Sequence, residues 1–192
     1  MMAAKPVAHR RGAAVEASIL DATVALLGER GFAISVEEVA ERAGVHRSNI
    51  YRRWETKPQL VAAAVGRLAD ATVVVQATGD AVADLRDAAV QVARSLRAGP
   101  GRNLLRAALA ACANDPEMSE VVRDFFAARY ATVIPVIQQG MADQTLRADV
   151  EPGLLWQAVA NPMHMDAVCG IETSDERARA LVDLMLAGAR GR

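Results

Sequence analysis

Apolar residues recur at intervals of three and four along most of this chain, and no two-residue alternation runs long enough to predict a strand. The first such stretch, 13–30, sets Val15, Ile19, Leu20, Val24 and Leu27 on one face and is closed by Gly31. Phe32 and Ile34 then cover the junction with the next helix. Leu60, Val61, Ala64, Val65 and Leu68 carry a helix to about Ala77, with Thr56, Pro58 and Gln59 marking its start. Beyond the break at Thr78-Gly79-Asp80, Val82, Leu85, Ala89, Val92 and Leu96 form the stripe of a helix over 80–98. Gly99-Pro100-Gly101 is the clearest stop, followed by an apolar helix over 104–113. A long helix is expected from Pro116 to about Ala142, then one over 154–169 and a last one from Asp175. The fold class is all-α, with about nine helices.

Between the first helix and Leu60, the stretch Ser35–Lys57 has its own logic. Ser35 followed by Glu38 is a capping box. Val36, Val39, Ala40 and Ala43 give the helix one apolar face, and Gly44 ends it where a left-handed backbone costs least without a Cβ. Val45 and Ile50 plug the angle to a second, short helix. That helix is left with His46, Arg47, Ser48, Asn49, Tyr51, Arg52 and Arg53 facing outward. Apolar residues committed to a core and an outer row of donors are the layout of a helix-turn-helix reading head. The expected division is therefore an N-terminal arm and helix-turn-helix domain over 1–57 and a second domain over 58–192. Residues 58–77 form the connecting helix.

Pro135 and Pro162 both fall in helical segments, where each frees a carbonyl four residues back, on Ala131 and Ala158. The resulting kinks either open space for a small molecule or shape packing only, and Pro162 alternatively splits its segment in two. The last two helices are apolar over more than one stripe. They are covered either by a partner, most simply in a symmetric homodimer, or by the chain itself. Leu155, Val159, Ala178, Leu181, Val182 and Met185 are the interface candidates.

Composition and charge refine this picture. The chain has 192 residues, 40 of them alanine, and only 4% aromatic, which suits close helix contacts. Net charge is −1, but residues 42–57 carry five Lys/Arg against Glu55 alone, an excess suited to phosphate. Residues 1–12, with Lys5, His9, Arg10 and Arg11, read as a disordered basic arm that either touches DNA or simply frays. Cys112 and Cys169 lack metal-ligand spacing and read as buried free thiols in a reducing compartment. Neither a membrane-span-length apolar run nor a signal-peptide core is seen, so a cytoplasmic location is expected. The three histidines, His9, His46 and His164, fit no catalytic triad or zinc pattern, and no Gly-rich phosphate loop occurs. No enzyme activity, metal or cofactor is expected.

The register ILDATVALLGERGFAISVEEVAERAGVHRSNIYRRWETKPQL, residues 19–60, resembles the DNA-binding domain of TetR-family transcriptional regulators. The resemblance rests on Arg30-Gly31-Phe32, Ala40–Val45, Tyr51 with Trp54, and Lys57–Leu60. Elsewhere only the helical layout matches. The resemblance implies a homodimer that sets two recognition helices in the major groove of a near-palindromic operator. It also implies a C-terminal bundle that holds a ligand pocket and a four-helix interface. Most such proteins repress and release DNA when a ligand binds.

Carried onto this sequence, Ser35, His46, Arg47, Ser48, Asn49, Tyr51, Arg52, Arg53 and Lys57 are the DNA-contact candidates, with Arg10 and Arg11 from the arm. The family usually has a small residue where Ser48 stands, Thr at Asn49 and Ser at His46. Arg47 suits guanine and Asn49 suits adenine, and the remaining donors position the head. Trp54 stands where Phe is usual and reads as core. Pocket candidates are Leu105, Leu109, Cys112, Phe125, Phe126, Arg129, Tyr130, Ile134, Trp156, Asn161, Met163 and His164. They predict a small, largely apolar effector, and so few aromatics argue against a pocket that stacks flat cations. The resulting expectation is a DNA-binding repressor relieved by such an effector. The alternatives are a helical dimerisation module that does not act on DNA, or a regulator without a small-molecule ligand.

Overall fold

Helix-forming sequence dominates, and side chains cap several helix starts, those of Ser35, His46, Asp115 and Glu151 among them. The computed structural model describes residues 6–72, 74–97, 99–113 and 115–189. Among these are ten α-helices: α1 (Pro6–Arg30), α2 (Val36–Ala43), α3 (Arg47–Tyr51), α4 (Lys57–Thr72), α5 (Ala81–Arg97), α6 (Gly99–Cys112), α7 (Pro116–Ala131), α8 (Ile134–Ala142), α9 (Pro152–Cys169) and α10 (Asp175–Ala189). A single 3-10 turn, Gly31–Ala33, links α1 to the next helix. No strand occurs among the described residues.

Several boundaries differ from expectation. Residues 6–12 are helical and continue into α1 rather than forming a separate arm. Residues 1–5 and the side chains of Arg10 and Arg11 lie outside the described residues. α4 stops at Thr72, short of Ala77. β-branched residues follow it, which lose rotamer freedom in a helix, and residues 74–80 are non-helical. Gln91 holds that segment, its side chain accepting from the Val74 amide at 2.7 Å and donating to the Val74 carbonyl at 2.9 Å. Gly99-Pro100-Gly101 does separate two helices, but it forms the first turn of α6 rather than a linker. Pro135 divides the expected long helix into α7 and α8 and sits in the first turn of α8. Pro162 stays inside α9 without splitting it.

Two apolar cores result. In the first, Ile19, Leu20, Leu26 and Leu27 of α1 meet Val36, Val39 and Ala40 of α2, Ile50 of α3, and Leu60, Val61 and Ala64 of α4. Leu104 and Met118 extend this core into α6 and α7. Trp54 packs against it, as expected. The second core joins α5, α8, α9 and α10 through Leu85, Ala89, Val136, Ile137, Trp156, Met163, Val182 and Leu186. Ion pairs stitch α5 to α10 along its edge: Arg86 to Asp183 at 2.5 Å, and Arg97 to Asp175 at 2.6 Å.

Candidate nucleic-acid interface and ligand cavity

The reading head is built from its caps outward. Ser35 Oγ accepts from the Glu38 amide at 3.2 Å, and the Glu38 carboxylate accepts from the Ser35 amide at 2.7 Å. These donors, joined by the Ser35 hydroxyl and an ion pair with Arg30, hold the Glu38 carboxyl below its usual range. At the other end of α2, Gly44 adopts φ 67° and the Val45 amide reaches back to the Ala40 carbonyl at 3.0 Å. That left-handed residue turns the chain into α3. His46 caps α3, its Nδ1 accepting from the Ser48 amide at 3.3 Å. Two Arg42–Glu29 hydrogen bonds of 2.8 Å and a Ser18–Ala43 hydrogen bond of 3.1 Å fix α2 on α1.

The donors on α3 divide into two groups. Arg47, Ser48, Tyr51 and Arg52 are exposed, Tyr51 at 48%. Arg47 lies 3.7 Å from Glu37, but both are open to water, where such a pair is easily exchanged for another partner. Asn49 is half-buried, and its side-chain oxygen accepts from Arg52 at 3.0 Å. Bidentate adenine reading would need that oxygen released. Arg53 and Lys57 turn inward. Arg53 donates to the carbonyls of Asn49 at 3.0 Å and Gly12 at 3.2 Å. Lys57 Nζ donates to the Phe32 carbonyl at 2.6 Å. Both cations tie the head together in this geometry, which sequence spacing alone could not distinguish from phosphate contact. The hydroxyl of Ser35 is likewise engaged in its cap.

Behind the head lies a cavity of about 270 Å3. Seven of the pocket candidates line it: Leu105, Phe125, Phe126, Arg129, Tyr130, Trp156 and His164. The remaining candidates lie elsewhere. Leu109 is exposed on α6, Cys112 is in its last turn, and Ile134 starts α8. Met163 is fully buried in the second core, on the same stripe of α9 as Trp156 and Ala160 but outside the cavity lining. Asn161 is exposed and accepts from the Tyr130 hydroxyl at 2.8 Å. Sequence reasoning missed the wall on the head side, formed by Phe32 and by Val61, Ala62 and Val65 of α4. A hint was present in α4, which carries more apolar residues than one core-facing stripe needs.

The ionisable groups of the cavity are shaped by burial. Burial lowers the His164 imidazole to about 4, so the ring is neutral near pH 7, and it raises the Tyr130 phenol. Phe126 is the hub of the ring cluster, with centroids 5.3 Å from Phe125, 5.9 Å from Tyr130 and 5.1 Å from His164. Among the described residues, no group of three His, Cys, Asp or Glu side chains could hold a metal ion. Nor is any described helix long and apolar enough to cross a membrane.

The interface candidates need correction. Leu155, Val159, Ala178 and Val182 are buried in the chain's own second core, because α5 and α8 already cover that side of α9 and α10. Leu181 and Met185 are half-buried at its edge. The large apolar side chains left outward on these two helices are Leu154, Met165 and Leu184, each at least 60% exposed. Cys169 is exposed and Cys112 half-exposed, so neither is the buried thiol expected.

Comparison with known proteins meets this geometry at both ends. Residues 19–64 match the family described as bacterial regulatory proteins, tetR family. Residues 75–185 match the tetracyclin repressor-like C-terminal domain. The HTH-type transcriptional regulator AqdR of Rhodococcus erythropolis is 31% identical over 134 residues, 69% of this chain. That match spans 64% of AqdR, just under two thirds of its length. YdeS of Bacillus subtilis, an HTH-type transcriptional regulator, is 28% identical over 86% of this chain and 84% of its own. In fold, the crystal structure of the TetR family transcription regulator SCO0332 superposes with a TM-score of 0.77 at 24% identity, covering 91% of this chain and 98% of that one. With one family model matched to the reading head and another to most of the helical remainder, the chain belongs to the TetR family, whose members are DNA-binding transcriptional regulators and not enzymes.

Proposed function

We propose that this protein is a cytoplasmic homodimeric repressor whose operator binding is relieved by a small, largely apolar molecule held in the cavity. The observation that carries this reading is the cavity's shared wall. Phe32, Val61, Ala62 and Val65 from the head and its connecting helix face Leu105, Phe125, Trp156 and His164 from the helices beyond. A molecule there touches both the part that reads DNA and the part that would hold a partner. Domains follow as a reading head over 1–57 and a ligand-binding and dimerisation domain over 58–192.

Arg47 and Asn49 are the base-reading residues in this proposal, on a near-palindromic operator. His46, Ser48, Tyr51 and Arg52 position the head on phosphates, with Arg10 and Arg11 reaching the duplex from the start of α1. Ser35, Arg53 and Lys57 contribute through the head's own geometry and, where released, through phosphate. The two-fold interface runs over the outward apolar side chains of α9 and α10, Leu154, Met165 and Leu184, with Leu181 and Met185 at its margin.

The test is fluorescence anisotropy with duplexes from the region upstream of the protein's own gene, across a salt series. Specific binding should weaken steeply with salt, as phosphate-dominated binding does, and Arg47→Ala should weaken operator binding more than bulk-DNA binding. Indifference to every fragment at low salt would refute the regulator reading. Binding that no cavity ligand changes would refute relief by an effector.

A further inference from the structure

The chain is poor in aromatic residues, yet it has concentrated them. Of its two Trp, two Tyr and three Phe, the side chains of Phe32, Phe125, Phe126, Tyr130 and Trp156 line the cavity. The other two, Tyr51 and Trp54, belong to the reading head. A core that only needs filling in an alanine-rich helical protein is served by Leu, Ile and Val, which make up the second core's bulk. Rings set edge to face around empty space favour another ring between them, because their edges and faces carry opposite partial charge.

Charge narrows the class further. Among the described residues, no carboxylate lines the cavity, whereas the Arg129 guanidinium does. A cationic guest would lose its hydration without gaining a counter-charge, so cations are excluded. His164 supplies a neutral polar handle, beside Arg129 and Tyr130. Its ring touches Phe126, and neither ring nitrogen makes a hydrogen bond with a described residue. Burial keeps it neutral, with one nitrogen to donate and one to accept. The volume sets the scale: an apolar cavity of about 150 Å3 takes benzene, so one of about 270 Å3 has room for two fused rings.

Resting on the effector reading above, we propose that the cavity binds an aromatic molecule of about two fused rings that carries no positive charge and bears one hydroxyl or carbonyl, which His164 orients. His164 is then a specificity residue. It contributes to the affinity for the polar-substituted ring and not to that for the bare ring.

Isothermal titration calorimetry of the full chain at pH 7.5 tests this with four probes: 2-naphthol, naphthalene, decan-1-ol and 1-naphthylmethylammonium. 2-Naphthol should bind at least about tenfold more tightly than the aliphatic alcohol, and more tightly still than the cation. His164→Phe should lower the affinity for 2-naphthol by about tenfold, the size expected for one lost buried hydrogen bond, and leave naphthalene unchanged. Ala108→Phe, which fills the cavity from α6, should abolish binding of both and serves if the histidine variant does not fold. Equal or tighter binding of decan-1-ol or the ammonium probe overturns the proposal, as does 2-naphthol binding that survives Ala108→Phe. Anisotropy on the operator, run with the same probes, separates the two readings. A 2-naphthol complex that keeps full DNA affinity supports this assignment of the cavity while refuting relief by its occupant.

Discussion

The half-buried imidazole of His164 makes stability depend on acid in a way that one substitution removes. In the unfolded chain a histidine takes up its proton near pH 6.5. In the folded chain burial delays that to about 4. Above pH 6.5 both states are neutral and the group contributes nothing to the pH dependence. Below it the unfolded chain binds a proton that the folded chain refuses, so stability falls with pH until the folded state is protonated too. Each pH unit between the two values is worth about 1.4 kcal/mol, so the loss reaches about 2 kcal/mol by pH 5 and levels off near 3 kcal/mol. His164→Phe replaces the ring with one that does not titrate and keeps the edge contact with Phe126. Urea unfolding of both proteins at fixed concentration, from pH 7.5 to 4.5, gives the difference between two curves in which the other titrating groups cancel. The wild type should lose about 2 kcal/mol more than the variant between pH 7.5 and 5. Parallel curves would show that His164 is solvated in the folded protein and that the cavity around it is wet.

Lys57→Met should weaken operator binding without changing its salt slope, because the amine is engaged with the Phe32 carbonyl. A slope that drops by about one in log–log anisotropy data would instead mark a direct phosphate contact. Leu184→Asp should yield a folded monomer in sedimentation, since that side chain is 65% exposed, whereas Val182→Asp should unfold the chain, its site being fully buried. A dimeric Leu184→Asp protein would place the interface elsewhere. Gly140→Ala should cost about 1–3 kcal/mol in urea, as overpacked cores do, because the new methyl would stand 2.9 Å from the Ala81 methyl and 3.0 Å from Leu146. An unchanged urea midpoint would show that α8 shifts freely against α5.

Local signals were readable where the chemistry is local. The Ser35–Glu38 box, Gly44 at the turn and the Thr56–Gln59 start of α4 each need only a few neighbouring residues, and the structure has all three. The prolines show where locality ends. In α9 the buried positions Trp156, Val159, Ala160, Met163 and Ala167 form one unbroken stripe, and Pro162 lies on the other side, so packing holds the helix through it. In the earlier segment, Met118 and Phe125 face the first core and the cavity, while Val136 and Ile137 face the second core. Two faces cannot be served by one straight helix, and the chain breaks at Thr132–Val133 just before Pro135. The apolar breadth of α10 did not show which of its side chains face outward, for a similar reason. Sequence shows that Ala178 and Val182 seek cover, but whether α5 or a second chain supplies it depends on packing between residues far apart in the chain, marked here by the Arg86–Asp183 pair, 97 positions apart.

The proposed coupling between the two ends of the molecule rests on how few atoms separate them. Phe32 gives its ring to the cavity and its carbonyl to Lys57. Lys57 begins α4, and one turn on, Val61, Ala62 and Val65 wall the same cavity. The reverse faces of these elements, through Ile34, Leu60 and Ala64, are buried in the core that seats α2 and α3. Well-packed helices respond to a displaced neighbour by shifting as bodies rather than deforming. A guest that pushes on Phe32 and α4 therefore meets a wall whose other side is the seat of the reading head. This is why the proposed control needs no relay of side chains across the molecule.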